Sequence, residues 1–250
     1  MVKPEGSIKA GEILMVDQPY ALVPAMVTDQ PPFSLCSSHK CNRRISPGTS
    51  KVSCARGCLA EVVWCSDTCR SRDQDFHKLE CSWLKGLSPE IRSLHGDSDF
   101  GVLWMIARIL IRKRLQNDGR KMAAGSHFQR RGWDAVWNLE GTVDNFPTDK
   151  ARHWRRLVDT YLTKGALEPI VYVEEAMEVL CKVETNSFGL YPGVTGEYPV
   201  VTFVSRGDYY GGGIWPTAAM FNHSCCPNVG HNTGTAVSQA ARLFWAASNS

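Results

Sequence analysis

Residues 36–81 read CSSHKCNRRISPGTSKVSCARGCLAEVVWCSDTCRSRDQDFHKLEC, and they hold seven cysteines and one histidine in closely spaced pairs. The four pairs are Cys36/Cys41, Cys54/Cys58, Cys65/Cys69 and His77/Cys81. Two ligands that lie close together in the chain form a clip, and tetrahedral zinc is commonly held by two such clips. Four clips therefore predict two four-ligand zinc sites.

The spacing leaves open how the eight ligands are divided between the two ions. Ser66 is a suitable N-cap and residues 67–84 have helical character, so His77 and Cys81, at i and i+4, lie beside one metal. In an interleaved arrangement the first and third pairs share one ion, and the second and fourth pairs share the other. In a sequential arrangement neighbouring pairs share an ion, and the spacing alone does not exclude it.

The cluster is not typical of disulfides. His77 forms no disulfide, and no apolar signal sequence opens the chain, which favours a reducing compartment. After Cys81 the chain holds only Cys181, Cys225 and Cys226, so the clustering is too tight for scattered core cysteines. A segment this short has few large apolar residues and buries too little surface to fold unaided. We expect zinc to stabilise it.

Composition bounds the class of protein. The chain has 250 residues with 43% hydrophobic and 21% charged content, which is ordinary for a globular protein. Its net charge of +3 is too small to indicate direct nucleic-acid binding. The longest apolar run, residues 102–111, is interrupted by Arg108, so the sequence predicts no membrane span.

The first half of the chain predicts a strand pair followed by helices. Apolar residues at 13–16 and 20–23, joined by a turn-like segment, favour a β-hairpin. Ser88, followed by Pro89, predicts a helix that restarts there. Apolar residues at helical spacing between Phe100 and Ile111 predict a core helix that stops at Asn117.

The second half of the chain predicts two further helices and then strands. One helix is predicted to be capped by Thr148 and the next to follow Pro169. Residues 198–204 and 235–247 favour strands, and Gly211-Gly212-Gly213 is interpreted as a sharp flexible link. The predicted fold class is α+β.

A second informative stretch is residues 213–229, which contain Asn222-His223-Ser224-Cys225-Cys226-Pro227-Asn228. Taken alone, this run indicates a tight turn rich in hydrogen-bonding groups. Together with the cysteine ladder upstream, it resembles the NHSCxPN signature of SET domains, and the chain resembles the SET-and-MYND lysine methyltransferases. Residues 8–14 resemble an early SET strand, and residues 186–188 resemble the family's NSF segment.

The resemblance implies an α+β split SET domain, with short β-sheets and a helical insertion, that is interrupted by a small double-zinc MYND-type finger. The implied organisation has four parts: 1–34, an N-terminal SET part; 35–83, the MYND-type finger; 84–185, a helical SET insertion; and 186–250, the SET core with an incomplete C-terminus.

The resemblance also implies site residues. Asn222 and His223 match family positions that bind S-adenosylmethionine, and Asn186 is a weaker candidate for the same role, with Glu140 weaker still. Phe188 matches a position that lines the channel for the substrate lysine. There an aromatic wall would favour the methylammonium product and exclude water.

The resemblance further implies that the chain is truncated at both ends of the SET domain. A glycine-rich cofactor loop is expected before residue 8, and its first glycine would precede Met1. The family's catalytic tyrosine is expected beyond the C-terminus, so no catalytic residue is assigned. Cys225 would otherwise join a third zinc site, and two zinc ions are therefore expected.

The implied function is S-adenosylmethionine-dependent methylation of a lysine in a histone or a non-histone protein. The alternative is a non-catalytic zinc-finger adaptor that binds proline-rich peptide partners. A RING-like ubiquitin ligase module would leave Asn222 to Asn228 unexplained. Free thiols and the family resemblance place the protein in the nucleus, the cytoplasm or both.

Overall fold

The computed structural model describes residues 8–26, 33–39, 41, 43–117, 132–193, 207–222, 228–233 and 242–246. These residues form a mixed arrangement of helices and small antiparallel sheets. The strands are β1 (Ile13–Asp17), β2 (Ala21–Pro24), β3 (Ser34–Leu35), β4 (Arg44–Ile45), β5 (Val52–Ser53), β6 (Val63–Trp64), β7 (Ser187–Leu190), β8 (Gly211–Ile214), β9 (Val229–Thr233) and β10 (Arg242–Ala246). The helices are α1 (Asp67–Asn117), α2 (Trp133–Trp137), α3 (Thr148–Tyr161) and α4 (Val173–Asn186).

The two larger sheets each combine segments from opposite ends of the chain. One sheet has the order β1-β10-β9 and the other has the order β2-β8-β7. All of these pairings are antiparallel. The N-terminal strands therefore complete sheets whose other strands lie more than 150 residues later in the chain.

The predicted hairpin between residues 13–16 and 20–23 is wrong. Both strands form, but β1 pairs with β10 and β2 pairs with β8, and the described residues show no ladder between β1 and β2. An isolated two-stranded hairpin is at best marginally stable in water. A three-stranded sheet with a buried face can be stable. Each strand gains more from its long-range partners than it would gain from its neighbour.

The predicted flexible link at Gly211-Gly212-Gly213 is also wrong, because these residues form most of β8. This strand is the central one of its sheet and is buried along its whole length. A Cβ at Gly213 would lie 2.0 Å from Leu22 Cδ2 and 2.7 Å from the Ala21 carbonyl oxygen. Glycine is used here because the neighbouring strand approaches too closely for any side chain.

Helix α1 begins where the sequence predicts. The Ser66 hydroxyl accepts a hydrogen bond of 3.2 Å from the backbone N–H of Cys69, which confirms Ser66 as the N-cap. The predicted restart at Ser88 is wrong, since the helix continues through Pro89. The break lies at Gly96, whose φ of 84° and ψ of 172° are not helical. The predicted 83/84 domain boundary therefore falls within a helix.

Two amphipathic helices, α3 and α4, pack against α1 and bury its apolar side. Thr148 is the first residue of α3 and not its cap, because Pro147 takes the N-cap position and no side chain caps the helix. Proline fixes an extended entry into the helix at that point. The helix predicted to follow Pro169 forms as α4.

The main core centres on the second half of α1. The residues that recur at helical spacing are buried there, which confirms the predicted core face: Phe100, Leu103, Trp104, Ala107, Leu110 and Ile111. The same core includes side chains of the cysteine-rich segment, so that segment and the helices share one core. No helix in the part of the chain that the structure describes is long and apolar enough to span a membrane. The predicted strand at 198–204 lies outside the described residues, and the region 235–247 contributes β10.

The close packing at β8 gives a testable prediction. We expect Gly213→Ala to lower the free energy of unfolding by about 1–3 kcal/mol, because the added methyl group overlaps Leu22 and the backbone of Ala21. Gly86→Ala is the matched control: Gly86 lies inside α1 with no atom within 4 Å of an added Cβ. That change should stabilise the protein by up to about 1 kcal/mol. Urea unfolding measures both, and equal effects would contradict the packing argument.

Candidate metal centres and cofactor-site residues

The first thiol cluster joins Cys36, Cys41, Cys65 and Cys69. All four sulfur atoms lie within 4.8 Å of one another. The Sγ atoms of Cys41 and Cys65 are 3.7 Å apart, and those of Cys65 and Cys69 are 3.5 Å apart. This is the first predicted pair together with the third.

The second cluster joins Cys54, Cys58, His77 and Cys81, with ligand atoms again within 4.8 Å of one another. His77 Nε2 lies 3.3 Å from Cys54 Sγ and 3.7 Å from Cys58 Sγ. Cys54 Sγ lies 3.7 Å from Cys81 Sγ. The structure therefore has the interleaved grouping and not the sequential one.

These separations fit tetrahedral zinc. Zn–S bonds of about 2.3 Å and Zn–N bonds of about 2.0 Å place neighbouring ligand atoms of a tetrahedron roughly 3.5–3.8 Å apart. The measured distances in both clusters lie close to that range. The donor sets, four cysteines and three cysteines with one histidine, are those of structural zinc sites. The two clusters can hold two zinc ions.

Each cluster contains a thiol that is readily ionised, and the thiolate is the form that binds metal. A hydrogen bond from Cys36 lowers the pKa of the Cys41 thiol to about 5. Burial raises the pKa of the Cys54 thiol, but hydrogen bonds, the largest from His77, outweigh it and lower that pKa to about 6. The pKa is raised for the neighbouring thiols of Cys36 and Cys65 in the first cluster and of Cys58 and Cys81 in the second, so each cluster has one readily ionised thiol beside thiols that hold their protons.

Short turns and two-residue ladders bring the clips together. The β3–β4 and β5–β6 ladders are each only two residue pairs long, and Cys36 bridges to Val63 beside them. The backbone N–H of Cys65 donates to Cys36 Sγ at 3.4 Å, which links the first and third clips directly. Gly57, with φ of 57°, closes the tight turn of the second clip. Such small ladders are weak alone, so ligand cross-links must supply much of their stability.

Glu80 orients the histidine ligand, and the sequence analysis did not identify it. His77 Nδ1 lies 3.3 Å from Glu80 Oε1. With Nδ1–H directed to the carboxylate, Nε2 faces the thiols as an acceptor for metal. A carboxylate three residues after a candidate histidine ligand, on the same helix face, is a signal that could have identified it.

Glu80 is fully buried, and besides His77 it is held by two further side chains. Trp104 Nε1 donates to it at 2.8 Å, and Arg108 donates through Nε at 3.0 Å and through a terminal nitrogen at 2.9 Å. Burial alone would raise the pKa of the Glu80 carboxyl, but the Arg108 charge and hydrogen bonds lower it to about 2. The ion pair is thus maintained inside the core.

Arg108 extends this network to the N-terminal sheet. It donates to the Leu22 carbonyl oxygen in β2 at 2.8 Å and to the Ser37 carbonyl oxygen at 3.4 Å. Its guanidinium also lies over the Trp104 ring, 5.0 Å from the centroid. One buried side chain therefore ties helix α1, strand β2 and the cysteine-rich segment to each other.

Asp73 plays a comparable part beside the first cluster. It is fully buried and accepts hydrogen bonds from the His39 backbone N–H at 3.1 Å and from Trp64 Nε1 at 2.9 Å. His39 Nδ1 lies 2.9 Å from the same carboxylate. The loop between Cys36 and Cys41 is in this way fixed against β6 and α1.

The predicted cofactor residue Asn186 is engaged in structural contacts. It is the last residue of α4, and its Nδ2 donates to the Glu140 carbonyl oxygen at 2.6 Å and to the Lys182 carbonyl oxygen at 2.8 Å. Both amide hydrogens are therefore used, and only the side-chain oxygen remains for a ligand. Glu140, the weakest candidate, meets Asn186 through its backbone.

Phe188 lies on β7 opposite Gly213 of β8. Its ring contacts Trp215 edge-on with centroids 6.1 Å apart, and contacts His231 in the same manner at 6.0 Å. Phe188 is half-buried. The structure therefore places it in an aromatic cluster at the edge of its sheet, and its role in a lysine channel stays a prediction.

Asn222 is exposed and follows a short 3-10 helix, Ala218–Met220. The preceding residues Met220 and Phe221 are 53% and 42% exposed, so this segment presents both polar and apolar groups to solvent. His223 and Cys225 lie outside the described residues. The roles of Asn222 and His223 in cofactor binding stay predictions.

The interleaved grouping predicts a distinctive metal count. We expect elemental analysis to give two zinc ions per chain. The double variant Cys41→Ser/Cys65→Ser should retain one ion, because both thiols belong to the first cluster. Cys41→Ser/Cys58→Ser should retain none, because it damages both clusters. In a sequential arrangement the Cys41→Ser/Cys65→Ser variant would retain no ion and the Cys41→Ser/Cys58→Ser variant would retain one. Cys181→Ala, a buried cysteine outside both clusters, is the control and should retain two ions.

The buried ion pair gives a second prediction. We expect Arg108→Met to lower the free energy of unfolding by about 3–5 kcal/mol, because it leaves Glu80 charged and unpaired in the core. Arg155→Met is the control, since Arg155 forms a bidentate pair with Glu174 that is exposed to solvent. It should leave stability nearly unchanged. Chemical denaturation measures both, and a similar loss in the two variants would contradict the assigned role of Arg108.

Comparison with known proteins gives one relationship. No family model matches the chain. Histone-lysine N-methyltransferase SMYD3 of Homo sapiens is 22% identical over 229 residues, which cover 88% of this chain and 44% of that protein. The chain thus spans less than half the length of this curated relative. Together with the two zinc-compatible clusters, the similarity supports a distant relationship to a SET-type methyltransferase with zinc-binding modules.

Proposed function

We propose that this chain belongs to an S-adenosylmethionine-dependent protein-lysine N-methyltransferase whose SET domain is split by a double-zinc module. The observation that carries the proposal is the similarity to a histone-lysine methyltransferase along 88% of the chain, which is far more than the cysteine ladder of residues 36–81 occupies. A zinc finger alone would account for only that ladder. The substrate is a protein lysine, with a histone as the first candidate.

In this proposal the eight Cys and His ligands hold two structural zinc ions, which take no part in the reaction. Neither cluster offers the open coordination position that a catalytic zinc requires, because each has four protein ligands. The metals would fix the module on α1. Glu80 would keep the His77 ring in the orientation that binds metal.

S-adenosylmethionine would supply the methyl group that is transferred to the lysine amine. Asn222 is exposed, so its amide is accessible to a polar part of this cofactor. Asn186 would contribute only its side-chain oxygen, since both hydrogens of its amide are donated to backbone carbonyls. Asn222 is therefore the better cofactor residue of the two, with His223 beside it in the sequence.

Phe188 would form part of the wall around the substrate lysine. An aromatic ring face attracts a methylammonium group and keeps water from the reacting amine. The edge contacts of its ring with Trp215 and His231 restrict its orientation, as a wall residue requires. Holding the amine in line with the methyl group is the main contribution such a channel makes to rate.

The experiment is a titration of the 250-residue chain with S-adenosylmethionine by isothermal calorimetry, followed by a methyl-transfer assay on histones. We expect binding at one site per chain, and we expect Asn222→Ala to weaken it about tenfold, the effect of one or two lost hydrogen bonds. Asn117→Ala, an exposed asparagine at the end of α1, is the matched control and should bind as the unaltered chain does.

A chain that shows neither binding nor transfer contradicts the proposal for this chain. The alternative, a non-catalytic adaptor for proline-rich peptides, has its own signature. Peptide capture would then survive Asn222→Ala and fail after Cys65→Ser, because only the zinc module would matter. Capture of that kind without any cofactor binding would favour the adaptor.

A further inference from the structure

Asp17 is a buried carboxylate that the proposed function does not use. It is the last residue of β1 and has no exposed surface. Its Oδ1 accepts a hydrogen bond of 2.9 Å from the Gln18 backbone N–H. Its Oδ2 accepts a hydrogen bond of 2.8 Å from the backbone N–H of Ala218, which lies 201 positions later in the chain.

Asp17 also accepts hydrogen bonds from the side chain and the backbone of Thr217. Burial raises the pKa of its carboxyl, while these four hydrogen bonds oppose that increase. The partners named here are uncharged N–H and O–H donors. Burying a carboxylate with neutral partners is costly, so the hydrogen bonds to residues 217 and 218 are needed to offset that cost.

The Ala218 end of this contact is the point at which the chain leaves the core. Every residue from Gly211 to Ala218 is buried, Ala219 is half-buried, and Met220, Phe221 and Asn222 are exposed. Ala218 is thus the last fully buried position before Asn222. Whatever fixes Ala218 fixes the starting point of the exposed segment.

The turn that follows Ala218 is held by backbone hydrogen bonds that start at residues 217 and 218. The backbone N–H of Met220 donates to the Thr217 carbonyl oxygen at 3.1 Å, and that of Phe221 donates to the Ala218 carbonyl oxygen at 3.0 Å. These bonds define the short 3-10 helix, so the orientation of residues 217 and 218 is passed on as far as Phe221. Asn222 is the next residue.

From this geometry we propose that Asp17 is a positioning residue for the cofactor site: it caps the 217–220 turn from strand β1 and thereby places the Asn222 side chain for S-adenosylmethionine. The proposal rests on the proposed function. It also explains a connection between the two sheets, since β1 belongs to one of them while the turn continues from β8 of the other. A site assembled from distant segments needs such a brace to keep its groups in place.

The test uses Asp17→Asn in the 250-residue chain. Asparagine keeps the shape of aspartate but places an NH2 group where one of the two carboxylate oxygens stood, so the backbone N–H of either Gln18 or Ala218 faces a donor instead of an acceptor. We expect the dissociation constant for S-adenosylmethionine to rise about tenfold or more, because a small displacement of a binding group has a large effect. We also expect faster hydrogen exchange at Ala218, Met220 and Phe221.

Val158→Ala is the control for a general loss of stability. Val158 is fully buried in α3 and takes no part in the turn. Both variants are measured at a temperature at which each is fully folded. Val158→Ala should leave the dissociation constant and the exchange of residues 218–221 unchanged.

Three outcomes decide the proposal. Unchanged cofactor affinity in Asp17→Asn overturns it, as does an equal loss of affinity in Val158→Ala. If the unaltered chain binds no S-adenosylmethionine, the proposed function fails and the cofactor role of Asp17 fails with it. In that case, faster hydrogen exchange at Ala218, Met220 and Phe221 in Asp17→Asn but not in Val158→Ala still supports the capping of the turn by Asp17. Failure of the proposed function can therefore be distinguished from failure of the capping.

Discussion

The buried pair of Glu80 and Arg108 is the interaction on which the rest of the structure depends. Each charge would be costly in the core if it were alone, so each requires the other. Glu80 reaches the histidine of the second cluster, and Arg108 reaches the backbone of β2 and of the loop after Cys36. The ion pair therefore connects the cysteine-rich segment, helix α1 and the sheet that contains β2. It forms only when all three are correctly placed.

This arrangement makes the cysteine-rich segment a part of the fold and not an appended finger. Helix α1 supplies Cys69, His77 and Cys81 from its first turns and the main core from its second half. A metal bound at the second cluster would hold His77, which holds Glu80 at one side of the pair. Arg92 adds a similar link, because it contacts Glu61 of the module at 2.9 Å and Asp97 next to the Gly96 break at 2.6 Å. A metal at the second cluster would thus be connected to the geometry of α1 through the buried Glu80–Arg108 pair, while the Arg92 contacts are partly exposed.

The sequence predicts some local features of this protein, although not the continuation of α1 through Ser88 or the position of the α3 cap, and it predicts long-range features poorly, for a physical reason. The clips and the Ser66 cap depend on residues within a few positions of each other, and both are present in the structure. The division of the clips between two clusters depends on how β6 meets the loop after Cys36, so spacing alone leaves it open.

The Gly211–Gly213 triplet shows the same limit. Its sequence indicates backbone freedom, whereas the structure uses its lack of side chains to admit a neighbouring strand. Arg108 was visible only as an interruption of an apolar run, yet a charge at such a position is itself a signal of a buried partner.

The candidate cofactor site illustrates the same point with two asparagines. Asn186 and Asn222 are both matched by the family resemblance, and the sequence ranks them only by the strength of their motifs. The structure separates them by hydrogen bonding, since Asn186 donates both hydrogens to carbonyl oxygens at the end of α4 while Asn222 is exposed beyond a capped turn. An amide that already closes a helix end is expensive to withdraw, because the carbonyl oxygens it leaves would lose their donor. An amide at the end of a short braced turn can meet a ligand at little cost. The exposure of Asn222, compared with the hydrogen bonds that Asn186 already donates, therefore favours Asn222 as the binding residue, and the buried carboxylate of Asp17 lies against the turn that leads to it.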